Sequence, residues 1–250
     1  MKKNKAAKII IIIFSIIALL SLGYMLYTLV LHPINEEKIY DNMKEDYAVH
    51  IDEKKKEVKK EVTIDDLKKK YSDDLVGWIK IKDTSIDYPV FYKKNDNDYY
   101  MNKNYLGNYV EGGSIFLNGY ATPYSKNMTL YGHYWDVYYN TMFKDLTKFS
   151  DKDFFDKHKT IYYDTGYGNK EWKVAGVLYT NINNLTDYYT PDFKNNKEFT
   201  KYANDLISRC YLKNNVKILE NDQLLTLSTC TAAYTDERIV VICYRTFPKE

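Results

Sequence analysis

Cys230 is the residue of this sequence whose type and position best suit covalent chemistry. It ends an apolar, strand-like run that begins at Leu224, and a polar, loop-like segment follows it. A thiol at the end of a strand is held by rigid backbone and stays open to a substrate. This placement predicts that Cys230 is a nucleophile.

The other two cysteines lie in apolar surroundings. Cys210 belongs to the apolar part of a predicted helix, and Cys243 lies inside an apolar strand-like run. Free cysteine is among the most buried residue types, so both are predicted to be small buried hydrophobic residues. With three cysteines, at least one thiol stays unpaired within the chain. The sequence allows a disulfide between Cys210 and Cys243 but does not decide whether it forms.

His133 is the candidate base for this thiol, because a cysteine nucleophile needs a base or a positive neighbour to supply its thiolate. It follows a strand-like run and a glycine, which is again a strand-to-loop position. The other histidines lie elsewhere: His32 ends a long apolar segment, His50 lies in a charged stretch, and His158 lies in a charged run predicted to be exposed. Alone, a loop histidine is more often structural; a thiol in a matching position favours catalysis.

Arg238 is the candidate positive group. It opens the last strand-like run, eight residues after Cys230, so a tight hairpin would return its side chain to the thiol. Only three of the 36 basic residues of the chain are arginines. A guanidinium keeps its charge and donates several hydrogen bonds in a fixed plane, which lysine does not. The choice of arginine here therefore indicates a use for that geometry.

Eight short apolar runs must position these three residues. Several alternate with a period of two, and they are rich in aromatic and β-branched residues. The pattern predicts a mainly β domain, as a barrel or a sandwich. The runs cover residues 76–81, 86–92, 114–117, 128–131, 160–163, 171–179, 223–228 and 238–244.

Two helical stretches interrupt these runs. One lies near residues 140–149, and the other covers residues 196–211, where Phe199, Tyr202 and Leu206 recur at helical spacing. The second lies between two predicted strands. It is therefore predicted to be a helical insertion before the cysteine strand.

The N-terminal region is predicted to anchor the chain in a membrane. Residues 9–31 carry no charged side chain. A helix of these 23 residues is long enough to span a bilayer core of about 30 Å. The run is too long for a signal peptide and has no small-residue cleavage site after it. The lysines of residues 1–8 should stay in the cytoplasm, so the remainder of the chain should lie on the extracellular face.

Residues 32–72 are predicted to form a helical stalk, followed by a catalytic domain over residues 73–250. The stalk is rich in Lys, Glu and Asp, and its apolar residues Ile39, Met43 and Tyr47 recur every four positions. Val58 and Val62 do the same. Thr63, followed by two acids, is typical of a helix N-cap.

Charge and composition exclude two classes of ligand. The net charge is +2, and residues 1–8 contribute four lysines and no acid, so the remainder carries 2 − 4 = −2. A body of that sign lacks the basic face that a nucleic acid requires. No Cys/His pairing has the spacing of zinc ligands, which argues against a zinc site.

Two motifs resemble those of the sortases, the membrane-anchored cysteine transpeptidases of Gram-positive bacteria. Thr226–Cys230 reads TLSTC and is followed by Arg238, which resembles the TLxTC…R signature of that family. Asn127–His133 reads NMTLYGH and resembles the family's histidine segment. The likeness extends over about residues 70–247. The helical insertion and the helical N-terminal extension resemble class B.

The resemblance implies a sortase-type eight-stranded β-barrel with His133, Cys230 and Arg238 as its catalytic residues. Cys230 would attack the Thr carbonyl of a C-terminal sorting signal of the LPxTG or NPxTN kind, carried by surface proteins. His133 would protonate the leaving amine and deprotonate the incoming one, while Arg238 would hold the substrate backbone and stabilise the oxyanion. An amine of peptidoglycan or of lipid II would resolve the thioester, and no metal or organic cofactor would be required.

Two other functions remain open from the residues alone. A hydrolytic cysteine protease would use the same acyl-enzyme, but added amine would not divert its product from acid to amide. A non-enzymatic surface domain would bury Cys230, which would then resist alkylation.

Overall fold

The structure, a computed structural model, describes residues 2–47, 62–134, 142–168, 170–181, 187–230 and 236–246. Two compact units divide the chain, a helical one that ends at Asn42 and a larger one that begins at Met43. The larger unit holds all the strands and all three candidate site residues.

The helices and strands follow one another along the chain in the order that the sequence analysis anticipated, with a few additions. The helices are α1 (Lys2–Leu26), α2 (His32–Tyr47), α3 (Ile64–Tyr71), α4 (Lys152–Lys157) and α5 (Asn196–Ser208), with a π-helical segment at Tyr27–Leu31 and a 3-10 helix at Lys144–Ser150. The strands are β1 (Leu75–Lys80), β2 (Asp87–Tyr92), β3 (Phe116–Leu117), β4 (Asn127–Tyr131), β5 (Thr160–Asp164), β6 (Glu171–Asn181), β7 (Leu212–Lys213), β8 (Asp222–Cys230) and β9 (Glu237–Thr246).

The N-terminal unit contains an apolar helical segment. Within the described part of the chain, Ala7–Leu31 is the one helical stretch long and apolar enough to cross a membrane. Its large apolar side chains are exposed, from Ile9 at 58% to Leu31 at 50%. Exposure of this much apolar surface to water is energetically unfavourable, whereas exposure to the lipid of a membrane is favourable.

Eight strands close into a barrel. Their order is β5-β1-β2-β3-β4-β8-β9-β6, and β6 returns to pair with β5. The pairs β2–β3 and β4–β8 are parallel, and the other pairs in the ring are antiparallel. Short β7 adds to β6 outside the ring. The predicted mainly β fold with eight barrel strands is confirmed, and each of the eight predicted runs overlaps one of these strands.

The end of α2 packs on the barrel through the residues whose four-residue spacing the sequence showed. Met43 is fully buried. The Tyr47 ring stacks on Trp78 with a centroid distance of 4.6 Å, and its hydroxyl donates to Asp164 at 2.7 Å. The side chains of Ile39 and Val58 lie outside the described part of the chain.

The predicted N-cap at Thr63 is confirmed. Its hydroxyl accepts the amide of Asp66 at 3.1 Å, and the Asp66 carboxylate accepts the amide of Thr63 at 3.1 Å, which is a complete capping box. This cap starts α3, which buries Ile64 and Leu67.

Four elements differ from the sequence-based prediction. The helix predicted near residues 140–149 is a 3-10 helix over Lys144–Ser150, and residues 140 and 141 lie outside the described part. α4 was not predicted, because most of its residues are charged and only Phe155 among them is buried. β7 was not predicted either, because its two residues are too few to show an alternating pattern. The predicted helix over residues 196–211 ends at Ser208, with Arg209 as its C-cap.

The sheet formed by β4, β8 and β9 has two different faces. One face points into the barrel, and α5 packs on the other, outer face with its own apolar residues Phe199, Ala203, Leu206 and Ile207. Cys210 extends this outer core beside Gly176, where an added Cβ would lie only 2.7 Å from the Cys210 sulfur. Gly176 therefore lets the end of the helical insertion approach the barrel closely.

Candidate active site

The ends of three neighbouring strands bring the candidate residues together. β8 and β9 are antiparallel, and Cys230 pairs directly with Arg238 across their ladder. β4 and β8 are parallel, with Tyr131 opposite Ser228. The Gly132 amide continues this ladder by donating to the Ser228 carbonyl at 3.3 Å, so His133 follows at the level of Cys230.

The alternation of side chains places these residues on the outer face of the sheet. Paired residues of neighbouring strands point to the same side, and every second residue along a strand shares that side. Thr226 bonds to Asn127 and Leu224 packs in the outer core, which identifies the face. The residues of this outer face include Asn127, Thr129 and Tyr131 of β4, Thr226, Ser228 and Cys230 of β8, and Arg238, Val240 and Ile242 of β9.

The His133 ring is oriented by a carbonyl. Its Nε2 lies 2.7 Å from the carbonyl oxygen of Met101, which can only accept a hydrogen bond. Nε2 must therefore carry a proton, and in the neutral ring Nδ1 is the basic nitrogen. A base oriented by a third group is the usual arrangement around an activated nucleophile.

Gly132 allows the backbone at His133 to be packed tightly. The Phe143 ring is fully buried against it, and an added Cβ at Gly132 would lie 2.8 Å from that ring. The Phe143 amide also donates to the His133 carbonyl at 3.3 Å. The glycine before the histidine thus serves close packing that fixes the position of the imidazole.

Burial lowers the pKa of His133 below its usual value, and the positive charge of Arg238 lowers it further, while the Met101 hydrogen bond opposes both. The ring is therefore mostly neutral at neutral pH. Once protonated, such an imidazolium is a stronger acid than a free one, which suits proton transfer to a leaving amine.

Cys230 and Arg238 differ in their access to solvent from the deeper residues of their strands. Both side chains are partly exposed, whereas Ser228 and Val240, one step further into the outer face, are buried. The Arg238 Nη1 donates to the Glu237 carbonyl at 3.1 Å. The thiol and the guanidinium thus lie where a substrate can reach them.

The structure adds two polar side chains to this region that the sequence analysis did not identify. Tyr188 lies after β6, is 9% exposed, and its hydroxyl lies 3.1 Å from the Ser228 hydroxyl. Burial raises the pKa of Tyr188, so it remains a neutral phenol. The alternation in TLSTC could have placed Ser228 beside Cys230, but no local pattern marks Tyr188, because its contact spans 40 residues.

The other histidines lie apart from the three strand ends. The prediction that His158 is exposed is wrong: only 10% of its side chain is exposed. It stacks on Phe154 at 3.7 Å, its Nδ1 lies 2.8 Å from the Phe154 carbonyl, and its Nε2 lies 3.0 Å from Asp83. The charged residues around it are exposed, and one of them, Asp151, caps the N-terminus of α4. His50 and the side chain of His32 lie outside the described part.

The two remaining cysteines are buried and unpaired, as the first interpretation of them predicted. Cys210 is 4% exposed and Cys243 is fully buried, and no disulfide joins them. Burial raises the pKa of Cys210 to about 12 and raises that of Cys243 as well.

Iodoacetamide should therefore label Cys230 of the native protein at least about tenfold faster than Cys210 or Cys243, because alkylation requires an accessible thiolate. Peptide mass mapping over time measures the three rates. In denaturant, all three should react at similar rates. Equal labelling of Cys210 and Cys230 in the native state would contradict the distinction between them.

Comparison with known proteins identifies the family. A family model of the sortase domain matches residues 79–246. Sortase B of Listeria monocytogenes is 36% identical over 178 residues, 69% of this chain and 70% of the relative. Sortase B of Staphylococcus aureus is 28% identical over 237 residues, 93% of this chain and 94% of the relative.

Comparison with solved structures agrees with this family assignment. The Staphylococcus aureus sortase B–substrate complex matches with a TM-score of 0.72 at 26% identity, over 87% of this chain and all of that one. Because the family match covers almost the whole barrel and these relatives are sortase B proteins, this chain belongs to the class B sortases, the cysteine transpeptidases that sort surface proteins in the cell envelope.

Proposed function

We propose that Cys230, His133 and Arg238 are the catalytic residues, and that the enzyme joins the Thr carbonyl of a C-terminal sorting signal to a cell-wall amine. One observation carries the proposal: Cys230 and Arg238 are a cross-strand pair, with His133 at the same level of the adjacent strand. The signal is of the LPxTG or NPxTN kind, and the bond cleaved is the one after Thr.

The first half of the reaction forms a thioester. Neutral His133 takes the proton of the Cys230 thiol as the sulfur attacks the Thr carbonyl carbon, and the electron pair of the C=O bond moves to oxygen. Arg238 donates to that oxyanion. When the tetrahedral intermediate collapses, the C–N bond breaks and protonated His133 gives its proton to the leaving amine.

The second half transfers the acyl group. An amine of peptidoglycan or of lipid II attacks the thioester carbonyl, His133 takes its proton, and the Cys230 thiolate leaves. The result is an amide in place of the one cleaved, so no net oxidant, reductant or cofactor is consumed. A hydrolytic protease would instead use water in this step.

The anchor proposal follows from the apolar segment and the lysines before it. Residues 9–31 span the membrane once, residues 1–8 stay in the cytoplasm, and the catalytic domain over residues 73–250 lies on the extracellular face, with residues 32–72 as the stalk. The positive-inside rule supports this direction. This topology puts the barrel where surface proteins and peptidoglycan precursors meet.

A peptide library tests the reaction. Peptides of the form x-P-x-T-x are offered to the full-length protein in detergent, with and without a glycine-based or diaminopimelate-based amine, and products are read by mass spectrometry. Cleavage after Thr, with amide formation that rises with amine concentration, is the expected result. Cleavage that yields acid at every amine concentration would favour a hydrolytic protease, and no cleavage of any peptide would overturn the proposal.

Removal of residues 1–31 should give a soluble protein that keeps its peptide activity. The deleted part contains the exposed apolar side chains, and all three proposed catalytic residues lie beyond residue 130. Gel filtration and peptide turnover measure the outcome. Insoluble product from several truncated variants beginning near residues 32–36 would show that the apolar segment is needed for folding.

A further inference from the structure

A fully buried amide at the first residue of β4 holds a distant segment of the chain. Asn127 is 0% exposed, and its side-chain nitrogen donates to two carbonyls, those of Tyr188 at 3.0 Å and Thr190 at 3.1 Å. Its own backbone amide donates to the Pro191 carbonyl at 3.0 Å. Burying an amide is costly unless each polar atom is bonded, and here each is.

Four consecutive carbonyls of that segment, residues 188–191, are held in this way. The carbonyl between the two that Asn127 binds, that of Tyr189, accepts from the buried Asn118 side chain at 3.4 Å. The Asn127 side-chain nitrogen also lies 3.4 Å from the Tyr202 hydroxyl on α5. A segment outside any helix or strand is thus fixed through its backbone.

One side chain of the fixed segment reaches towards the nucleophile. Asn127 and Cys230 share the outer face of the sheet, and the Tyr188 hydroxyl reaches Ser228, two residues before Cys230 on that face. Residues 188–191 therefore lie over the sheet on the side from which a substrate reaches the thiol. Any displacement of this backbone changes the shape of the groove while leaving β8 and β9 in place.

We propose that Asn127 is a positioning residue that fixes segment 188–191 as one wall of the peptide groove, and that it thereby governs peptide affinity more than the chemistry of the thiol. This inference rests on the proposed function. Its physical basis is geometric: one amide group donates to two carbonyls of the segment at once, so its loss releases both together.

Asn127→Asp tests this with little change in shape. A carboxylate has no hydrogen to donate, and even a protonated carboxyl group has only one, so the two carbonyls can no longer be held together. Its oxygen can still accept from the Thr226 hydroxyl, which lies 2.9 Å from Oδ1 in the wild type. Thr226→Val is the matched control, because it removes a buried hydrogen bond of the same side chain without touching the segment.

Kinetics of full-length protein in detergent with a sorting peptide should separate the two variants. Asn127→Asp should raise KM about tenfold or more, with kcat changed less than about threefold. The rate at which iodoacetamide alkylates Cys230 should stay within about twofold of the wild-type rate. Thr226→Val should leave KM within about twofold. A purely structural role would instead lower the active fraction and change all these quantities together.

Amide exchange of residues 188–191, read by mass spectrometry, supplies a second measurement that does not depend on turnover. Faster exchange there in Asn127→Asp supports the inference; unchanged exchange, unchanged KM, or an equal change in Cys230 alkylation overturns it. If Asn127→Asp fails to fold, Tyr202→Phe removes the hydroxyl that lies 3.4 Å from the Asn127 side-chain nitrogen, leaves both carbonyl bonds in place, and should shift KM and exchange in the same direction, by less. If wild-type protein turns over no peptide, the proposed function fails and exchange alone decides the role of Asn127.

Discussion

Cys230→Ala should abolish both cleavage of a sorting peptide and transfer to an amine, with loss of at least about four orders of magnitude in kcat/KM, since no thioester can form without the sulfur. The fold should survive, because Cys230 is the last residue of β8 and its side chain is partly exposed. Peptide turnover measures the activity of the variant, and circular dichroism of the same preparation measures whether it is folded.

Cys210→Ala and Cys243→Ala are the matched controls. Each removes one buried sulfur from a packed core, which should cost about 1 kcal/mol of stability and leave most of the activity. Full activity in Cys230→Ala, or complete loss in a control that remains folded, would show that the nucleophile has been misassigned.

Patterns within the strands allowed much of the site to be predicted. The period of two in β8 and β9 sets which residues share a face, and a short connection sets which residues pair across the hairpin. Cys230 opposite Arg238 follows from those two constraints. The position of His133 needed one more fact, the parallel pairing of β4 with β8, which no local pattern in the sequence determines.

Contacts between distant segments could not be predicted in this way. The Tyr188 hydroxyl reaches Ser228 across 40 residues, and Asn127 holds carbonyls 61 and 63 residues away. Asparagine at the start of a strand has no periodic signature, and its hydrogen-bond partners are backbone groups that any residue type supplies. Such tertiary contacts appear only when the barrel brings β4 beside the segment that precedes α5.

His158 is a residue whose exposure the local sequence pattern predicted wrongly. Its neighbours in sequence are charged, so the local pattern indicated an exposed residue, yet the ring stacks on Phe154 and bonds to Asp83. The charges around it point away to solvent while the backbone forms α4 with an Asp151 N-cap. Composition predicts the average exposure of a run and does not assign the single residue that turns inward.

The role proposed for Arg238 depends on more than its charge. Arg238 pairs with Cys230 in the ladder, so in the proposed reaction its guanidinium would lie beside the acyl group on that sulfur. Its charge also lowers the pKa of His133. A lysine in this place would keep the charge, and so much of its effect on the imidazole, but would lose the planar arrangement of donors.

Arg238→Lys should therefore lower kcat/KM for a sorting peptide at least about tenfold, which corresponds to about 1.4 kcal/mol of transition-state stabilisation. A guanidinium can donate to a substrate carbonyl and to the developing oxyanion with two parallel N–H groups, whereas an ammonium on a flexible stem directs only one well. The loss should appear in acylation, where the oxyanion first forms, and single-turnover measurements of thioester formation report that step. Arg209→Lys, at an exposed arginine beyond α5, should leave the rate unchanged. Near wild-type acylation in Arg238→Lys would reduce Arg238 to a simple positive charge, and the proposed two-donor contact would have to be abandoned.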